Sequence, residues 1–200
     1  MLKAYYTKGV VEAGCDEAGR GCIAGPVFAA AVILPVKFRN TVLNDSKQVP
    51  TELRTELREI IEKNAVAFGV GMAGPGEIDR LNILRASILA MQRAIDQLKT
   101  LPEHLLVDGR SFLSYRGIPY TCVIKGDGIY SSVAAASILA KTYRDQYMEE
   151  LHNSFPHYGW NLNKGYATRY HRDAVMTHGL TPHHRKSFRL FDQQMSLDFD

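Results

Sequence analysis

The sequence contains no apolar stretch long enough to cross a membrane. Its longest wholly apolar run, Val27–Leu34, has eight residues in a chain of 200, whereas a membrane-spanning helix needs roughly 20. The first residues, MLKAYYTKG, contain no long apolar segment of the kind that marks a secretory signal peptide. We therefore expect a cytoplasmic protein.

Cysteine is scarce, and its spacing is uninformative. The three cysteines, Cys15, Cys22 and Cys122, are odd in number and form no CxxC pair, so neither a disulfide framework nor a cysteine-ligated zinc site is indicated. We expect the thiols to be small buried hydrophobic groups. With 46% hydrophobic and 22% charged residues, the composition favours one compact domain with at most a small appendage.

Acidic residues are nearly absent between positions 164 and 189. Six cations lie there against the single acid Asp173, although the whole chain has a net charge of only +3. The six are Lys164, Arg169, Arg172, Arg185, Lys186 and Arg189. Histidines and aromatic residues are interleaved with them, as in surfaces that bind a polyanion. A solvated charged face is the alternative, whereas zinc is disfavoured because the histidine spacing matches no common ligand pattern.

The pattern of apolar residues predicts strands alternating with helices. We expect a helix capped by Thr51 with Leu53, Leu57, Ile60 and Ile61 on one face, and a longer helix from Pro75 to Leu98. The other predicted elements are strands over 10–16, 27–34, 65–72, 104–108 and 120–124, and a helix over 131–147. This order predicts an α/β fold with a mixed sheet flanked by helices.

Three aspartates follow buried strands. Asp16 ends the first predicted strand, Asp108 ends the apolar run LLVD, and Asp127 follows YTCVIKG. Carboxylates that converge at one edge of a sheet repel one another unless they bind cations or protons. Oxygen ligands without cysteine favour Mg²⁺ or Mn²⁺, and two such ions can promote phosphodiester hydrolysis. Each aspartate alone is more often a turn or cap residue, so it is the combination that suggests a metal site.

Eight short blocks resemble bacterial ribonuclease HII, in order and over nearly the whole chain. They are DEAGRG (16–21), GPV (25–27), NDSK (44–47), LLVDG (105–109), KGD (125–127), AAASILAK (134–141), KGYAT (164–168) and HRKSF (184–188). The resemblance implies a ribonuclease H-like core over 1–150, a basic helical C-terminal extension over 151–190 packed on that core, and a tail over 191–200. It also implies cleavage of RNA paired with DNA and of single ribonucleotides embedded in duplex DNA, leaving 3′-hydroxyl and 5′-phosphate ends.

The resemblance also assigns roles to individual residues. The catalytic, metal-binding acids would be Asp16, Glu17, Asp108 and Asp127. Adjacent strand residues point to opposite faces, so Asp16 and Glu17 can reach one metal centre only if the strand bends there. The residues that would contact the substrate are Gly19, Arg20, Gly21, Lys47, Tyr166, His184 and Ser187.

The Gly19-Arg20-Gly21 triplet has an independent chemical rationale. An enzyme that selects RNA must recognise the 2′-hydroxyl, which both donates and accepts hydrogen bonds. Glycines let the main chain approach closely, while Arg20 can pair with a phosphate. Tyr166 matches the family tyrosine that stacks on the deoxyribose after a ribonucleotide. A plain glycine turn and a packing tyrosine are the alternatives for these two features.

Two rival functions and one partner are considered as well. The rivals are a nucleic-acid-binding module without catalysis and a related nuclease that needs several consecutive ribonucleotides. The C-terminal QQMSLDFD resembles the short sequence by which bacterial DNA enzymes dock on the sliding clamp, with Gln194, Leu197 and Phe199 as anchors. A frayed C-terminus, or a tail folded back on the domain, is the alternative.

Overall fold

The computed structural model describes residues 2–40, 42–43 and 49–190. Its centre is one five-stranded mixed sheet in the order β3-β2-β1-β4-β5. The strands are β1 (Glu12–Ala18), β2 (Val27–Ile33), β3 (Ala67–Ala73), β4 (His104–Asp108) and β5 (Tyr120–Val123). The pairs β1–β2 and β2–β3 are antiparallel, whereas β1–β4 and β4–β5 are parallel. The predicted mixed α/β sheet is confirmed.

Six helices accompany this sheet in the described ranges. They are α1 (Thr51–Asn64), α2 (Pro75–Leu81), α3 (Ile83–Asp96), α4 (Ser131–Ser154), α5 (Trp160–Asn163) and α6 (Arg169–His178). One core lies between the sheet and α3, and a second lies between the opposite face and the helices α1 and α4. None of these helices is long and apolar enough to cross a membrane.

Helix α4 lies against β1 at an unusually short distance, because both elements carry small residues at their contact. A Cβ atom on Gly14 would lie 2.2 Å from the carbonyl carbon of Ser132, so only glycine fits there. The facing stretch of α4, Val133 to Ala136, is fully buried. This close packing brings the side chains of α4 next to the end of β1.

Three predictions about the helices are corrected. The helix expected over 75–98 is two helices, because Asn82 adopts a left-handed φ of 70° and its Oδ1 accepts a hydrogen bond from the Arg85 amide, capping α3. Thr51 is the first residue of α1 rather than its cap. Only Leu57 and Ile61 of α1 are buried, whereas Leu53 and Ile60 are exposed.

The buried-thiol prediction holds for two of the three cysteines. Cys15 and Cys22 are fully buried and Cys122 is partly buried, and all three are unpaired. The division of the chain at residue 150 stays a prediction, since α4 continues through it to Ser154. Beyond α4, the C-terminal extension packs Tyr158 and Trp160 against Met148 of that helix.

Candidate active site

Asp16 is a buried carboxylate on β1 that faces α4. Its side chain is only 5% exposed, its Oδ1 accepts a hydrogen bond of 2.7 Å from the Glu17 amide, and it interacts with Ser137 of α4. Burial raises the pKa of Asp16 well above its usual range, and the negative charges of Glu17 and Asp108 raise it further. The acids are therefore close enough to repel one another.

Asp108 lies beside Asp16 because their strands are parallel neighbours. Cys15 pairs with Val107 across β1 and β4, so the next residues, Asp16 and Asp108, face the same side at the same edge. The Oδ1 atom of Asp108 accepts a hydrogen bond of 2.7 Å from the Gly126 amide. This bond ties the end of β4 to the turn that carries Asp127.

Asp127 lies in a short 3-10 turn, Gly126–Gly128, that follows β5. Lys125 enters the turn with a left-handed φ of 57°, which reverses the chain just before the acid. The Asp127 side chain is 5% exposed, and its Oδ1 accepts a hydrogen bond of 3.0 Å from the Gly128 amide. Asp127 thus belongs to the same edge of the sheet as Asp108.

The Cα–Cβ bond of Glu17 points to the opposite face of the sheet from that of Asp16. Glu17 is paired with Ala29 across β1 and β2, and Ala29 belongs to the core on the α3 face, whereas Asp16 faces α4. Its Oε1 atom forms an ion pair of 3.0 Å with Arg20. Glu17 still influences Asp16 through its charge, but its role as a metal ligand stays a prediction.

The donor set at this edge of the sheet suits a hard divalent cation. Within the residues described, no three His, Cys, Asp or Glu side chains form a group that could hold a metal ion. The chemistry nevertheless fits Mg²⁺ or Mn²⁺, because the donors are carboxylate oxygens. A cation would also relieve the repulsion from Glu17 and Asp108, which adds to burial in raising the pKa of Asp16.

The Gly19–Gly21 loop lies directly after β1. Gly19 has a φ of +94°, and a Cβ atom on it would lie 1.9 Å from Nε of Arg144, so both conformation and space require glycine. The Cys22 amide donates to the Gly19 carbonyl at 3.5 Å, closing a tight turn. Arg20 and Gly21 are exposed at its tip.

Tyr166 lies beside this loop. A Cβ atom on Gly21 would be 4.0 Å from the Tyr166 ring, and the Tyr166 hydroxyl interacts with the buried Cys22 thiol. The residue is 45% exposed, so part of it is accessible from solvent. The two features predicted to recognise a ribonucleotide, distant in sequence, are thus neighbours in space.

His184 and Ser187 have structural partners. His184 is 1% exposed; its Nδ1 accepts from the Thr181 amide at 3.0 Å, and its Nε2 lies 3.2 Å from that of His171. Ser187 donates from Oγ to Asp79 at 2.7 Å. Direct contact of His184 with a substrate is therefore disfavoured by its burial. Lys47, Gln194, Leu197 and Phe199 lie outside the described residues.

The cations of the 164–189 segment are not all surface charges. Arg185 is completely buried, and Lys164 is paired with Glu149 of α4. Arg169, with a side chain 96% exposed, lies 3.8 Å from Asp173, a distance at which an exposed pair contributes little. The polyanion-binding hypothesis therefore applies to fewer side chains than the residue count suggested.

Sequence reasoning missed two buried arginines beneath the loop, Arg144 and Arg185. Arg144 is 1% exposed and donates to the carbonyls of Pro26 and Ala24 at 3.1 and 3.3 Å. Its position on α4, seven residues after Ser137 and four before Met148, puts it on the buried face of that helix, which was the available signal. No comparable periodicity marks Arg185, which lies in an irregular segment.

Comparison with known proteins gives a consistent answer. The family model described as Ribonuclease HII matches residues 13–191. Curated proteins named Ribonuclease HII from Bacteroides thetaiotaomicron and Parabacteroides distasonis are each 60% identical over all of both chains. Among solved structures, the ribonuclease H2 of Pyrococcus horikoshii OT3 superposes with a TM-score of 0.74 at 25% identity, covering 90% of this chain and 94% of that one. The RNase HII in a PCNA complex from Archaeoglobus fulgidus gives 0.75 at 27% identity, covering 94% and 99%.

Proposed function

The chain belongs to the ribonuclease HII family, whose enzymes cleave the RNA of RNA–DNA hybrids, and on this basis we propose a finer activity. It cleaves the RNA strand of RNA–DNA hybrids and also single ribonucleotides embedded in duplex DNA. The ribonuclease H-like fold that the sequence predicted is confirmed by its structural neighbours. The observation that carries the proposal is the adjacency of the acidic sheet edge, the Gly19–Gly21 loop and Tyr166.

In the proposed reaction, hydrolysis joins a water oxygen to phosphorus and breaks the bond from phosphorus to O3′. The products carry a 3′-hydroxyl and a 5′-phosphate. Asp16, Asp108 and Asp127 would hold the Mg²⁺ or Mn²⁺ ions, with Glu17 as the fourth acid. Two bound ions would supply activation of the water and stabilisation of the leaving oxygen. The protein's own contribution is to hold these carboxylates close together at one edge of the sheet, although burial and the charges of Glu17 and Asp108 raise the pKa of Asp16.

Selection of the ribonucleotide is proposed to occur at the loop. The amides of Arg20 and Gly21 have no hydrogen-bond partner among the described residues, so they are available to the 2′-hydroxyl. The Arg20 side chain, now paired with Glu17, would exchange that partner for a phosphate. Tyr166 would stack on the sugar that follows the ribonucleotide.

A sliding clamp is proposed as a protein partner. One structural neighbour was solved as a PCNA:RNase HII complex, and the tail of this chain carries Gln194, Leu197 and Phe199. An apolar pocket would receive Leu197 and Phe199 while Gln194 hydrogen-bonds at its rim. Deleting residues 194–200 should abolish clamp binding in a titration and leave cleavage of a short oligonucleotide unchanged. Equal clamp affinity of both proteins would contradict this partner.

The decisive experiment uses duplex DNA with one embedded ribonucleotide. With Mg²⁺ or Mn²⁺ present, we expect one cut at the ribonucleotide, mapped by the electrophoretic mobility of end-labelled strands. An all-DNA duplex is the control and should stay intact. Cleavage that requires several consecutive ribonucleotides would instead identify the rival nuclease, and binding without cleavage would identify a module that lacks catalysis.

A further inference from the structure

The Gly19–Gly21 loop rests on two buried guanidinium groups. Arg185 is 0% and Arg144 is 1% exposed, and neither forms an ion pair with a carboxylate among the described residues. Burying a cation without a counterion is unfavourable unless its donors find acceptors. Both arginines instead donate hydrogen bonds to backbone carbonyls, and these bonds hold the main chain in position.

Arg185 directs its donors at the loop itself. Its Nη2 donates to the Gly19 carbonyl at 2.7 Å, its Nη1 to the Arg20 carbonyl at 2.9 Å, and its Nε to the Gly25 carbonyl at 2.9 Å. The planar guanidinium is a rigid fork, so the three bonds fix the two loop carbonyls relative to each other. One side chain thus determines how two successive peptide groups are turned.

Because each peptide unit is planar, fixing these two carbonyls also fixes the direction of the amides that follow them. The described residues contain no cis peptide bond, and in a trans peptide the C=O and N–H groups point in opposite directions. Because the carbonyls of Gly19 and Arg20 point inward at Arg185, the amides of Arg20 and Gly21 point outward. These are the two amides that lack partners in the described chain.

We propose that Arg185 is a positioning residue for ribose recognition, which turns the Arg20 and Gly21 amides toward the 2′-hydroxyl of the substrate. The proposal rests on the function proposed above, in which this loop selects the ribonucleotide. It implies that Arg185 contributes to substrate selection without contacting the ribose itself.

Contacts around Arg185 hold it in place. Its amide donates to the Ile23 carbonyl at 2.8 Å, and its guanidinium lies 5.0 Å from the centre of the Phe188 ring. Asp79 of α2 accepts hydrogen bonds from the amides of Lys186 and Ser187 at 3.1 and 2.9 Å. Arg185 and the two residues that follow it are thus attached to Ile23 and to α2, which makes Arg185 a fixed support for the loop.

Arg144 provides a matched control. It is equally buried and also donates to carbonyls, but those belong to Ala24 and Pro26, outside the triplet. Its contact with the triplet is steric, since it fills the space beside Gly19. Replacing either arginine by lysine keeps the positive charge and removes the fork, because one ammonium group cannot reproduce its planar set of donors.

The test compares the wild type with Arg185→Lys and Arg144→Lys. The affinity of each is measured by fluorescence anisotropy in EDTA, for duplex DNA with one ribonucleotide and for the matched all-DNA duplex. The preference is the ratio of the affinity for the ribonucleotide duplex to that for the all-DNA duplex. In Arg185→Lys we expect this ratio to fall about tenfold while the affinity for the all-DNA duplex is retained. Arg144→Lys should keep the preference within about twofold, since its bonds lie outside the triplet.

The outcomes separate this proposal from the proposed function. An unchanged preference in folded Arg185→Lys, or equal losses in both variants, would overturn the role of Arg185 while leaving the function intact. A wild type without any preference for the ribonucleotide would overturn both. Circular dichroism and a cooperative melt establish whether each variant is folded.

A measurement on the wild type decides the matter even when Arg185→Lys does not fold. Three hydrogen bonds should slow solvent exchange of the Arg185 guanidinium protons in NMR spectra, compared with those of exposed Arg169. Adding the ribonucleotide duplex should shift the Arg20 and Gly21 amide signals and leave the Arg185 signals in slow exchange. Arg185 protons that exchange as fast as those of Arg169 would contradict the proposal.

Discussion

The acidic edge of the sheet and the buried arginines beneath the neighbouring loop carry opposite charges and satisfy them in opposite ways. Burial, and then the like charges of Glu17 and Asp108, raise the pKa of Asp16, so its ionised form is unfavourable in the isolated protein. Arg144 and Arg185 are also buried, but their donors are met by five backbone carbonyls. In the first region the charged groups repel one another, whereas in the second they are hydrogen-bonded within the protein.

This contrast predicts that the two regions respond differently to mutation. Replacing an acid should harm catalysis without harming the fold, because it removes repulsion. Replacing a buried arginine should harm the fold, because carbonyls that were hydrogen-bonded become unsatisfied. Substitutions in these two neighbouring regions should therefore affect different quantities, activity at the acidic edge and stability at the buried arginines.

The largest effect is expected for Asp16→Asn. Cleavage of the single-ribonucleotide duplex should fall at least about 100-fold, on the order of 3 kcal/mol in the barrier. The free energy of unfolding at pH 7 should be equal to or greater than that of the wild type, since a carboxyl group with a raised pKa destabilises the fold once ionised. Single-turnover kinetics and urea unfolding measure the two quantities.

Asp173→Asn is the matched control for that variant. Asp173 is an exposed aspartate on α6, with a side chain 70% accessible, and its neutralisation should change neither quantity. Near-normal turnover in Asp16→Asn would remove Asp16 from the proposed metal site. A marked loss of stability would show that the repulsion at this edge is not a net cost to the fold.

The sequence was sufficient to locate the acidic edge but not the arginines. Asp108 and Asp127 each follow an apolar run that forms a strand, and strand ends on neighbouring parallel strands meet at one edge. A charged residue, in contrast, is by default expected on the surface. The burial of Arg185 depends on Gly19, Arg20 and Gly25, about 160 positions earlier, and no local pattern reports such a contact.

The break in the second predicted helix was missed for a related reason. The apolar stripe continues through Ile78, Leu81 and Leu84 at helical spacing, but Asn82 adopts a left-handed conformation and caps a new helix. Asparagine tolerates this conformation better than most residues, so its presence permits a break without requiring one. His184 was likewise predicted at the surface, and its burial follows from tertiary packing against His171 and Tyr158.

Arg144→Met should be the most damaging substitution for stability. Methionine keeps much of the buried volume but cannot donate to the carbonyls of Ala24 and Pro26, so we expect a loss of about 2 kcal/mol or more in the free energy of unfolding. Arg169→Met, at an exposed position on α6, is the control and should change stability by less than about 0.5 kcal/mol. Equal stability of the two variants would mean that the buried hydrogen bonds of Arg144 do not stabilise the fold, which contradicts the contrast between the two regions.

Tyr166→Ala should have a smaller and substrate-dependent effect. We expect a loss of about tenfold in kcat/KM on a single embedded ribonucleotide, because the stacking surface beside Gly21 is removed. The loss on a long RNA–DNA hybrid should be smaller, since neighbouring positions offer alternative registers. Tyr170→Ala, an exposed tyrosine on α6, is the control. Equal losses on both substrates would assign Tyr166 a structural role.

The smallest expected effect is a pH dependence of stability that comes from the C-terminal extension and opposes that of the acidic edge. Burial, together with the charge of the nearby His171, lowers the pKa of His184 from 6.5 to about 4. The hydrogen bonds explain why the neutral form is required, since Nδ1 of His184 accepts from the Thr181 amide and a protonated ring has no acceptor.

The sign of this dependence follows from the two pKa values. The unfolded chain takes up a proton near pH 6.5 and the folded protein only near pH 4, so stability is full above pH 6.5 and is lost as the pH falls toward 4. Between pH 7 and pH 6 one histidine accounts for at most about 1 kcal/mol. Asp16 acts in the opposite sense, because its raised pKa favours the folded state as it takes up a proton.

Urea unfolding of the wild type and of His184→Asn at both pH values isolates the contribution of the histidine, since Asp16 is common to both proteins. The wild type should lose more stability than the variant on acidification. Equal losses would mean that the pKa of His184 is the same in the folded and unfolded states.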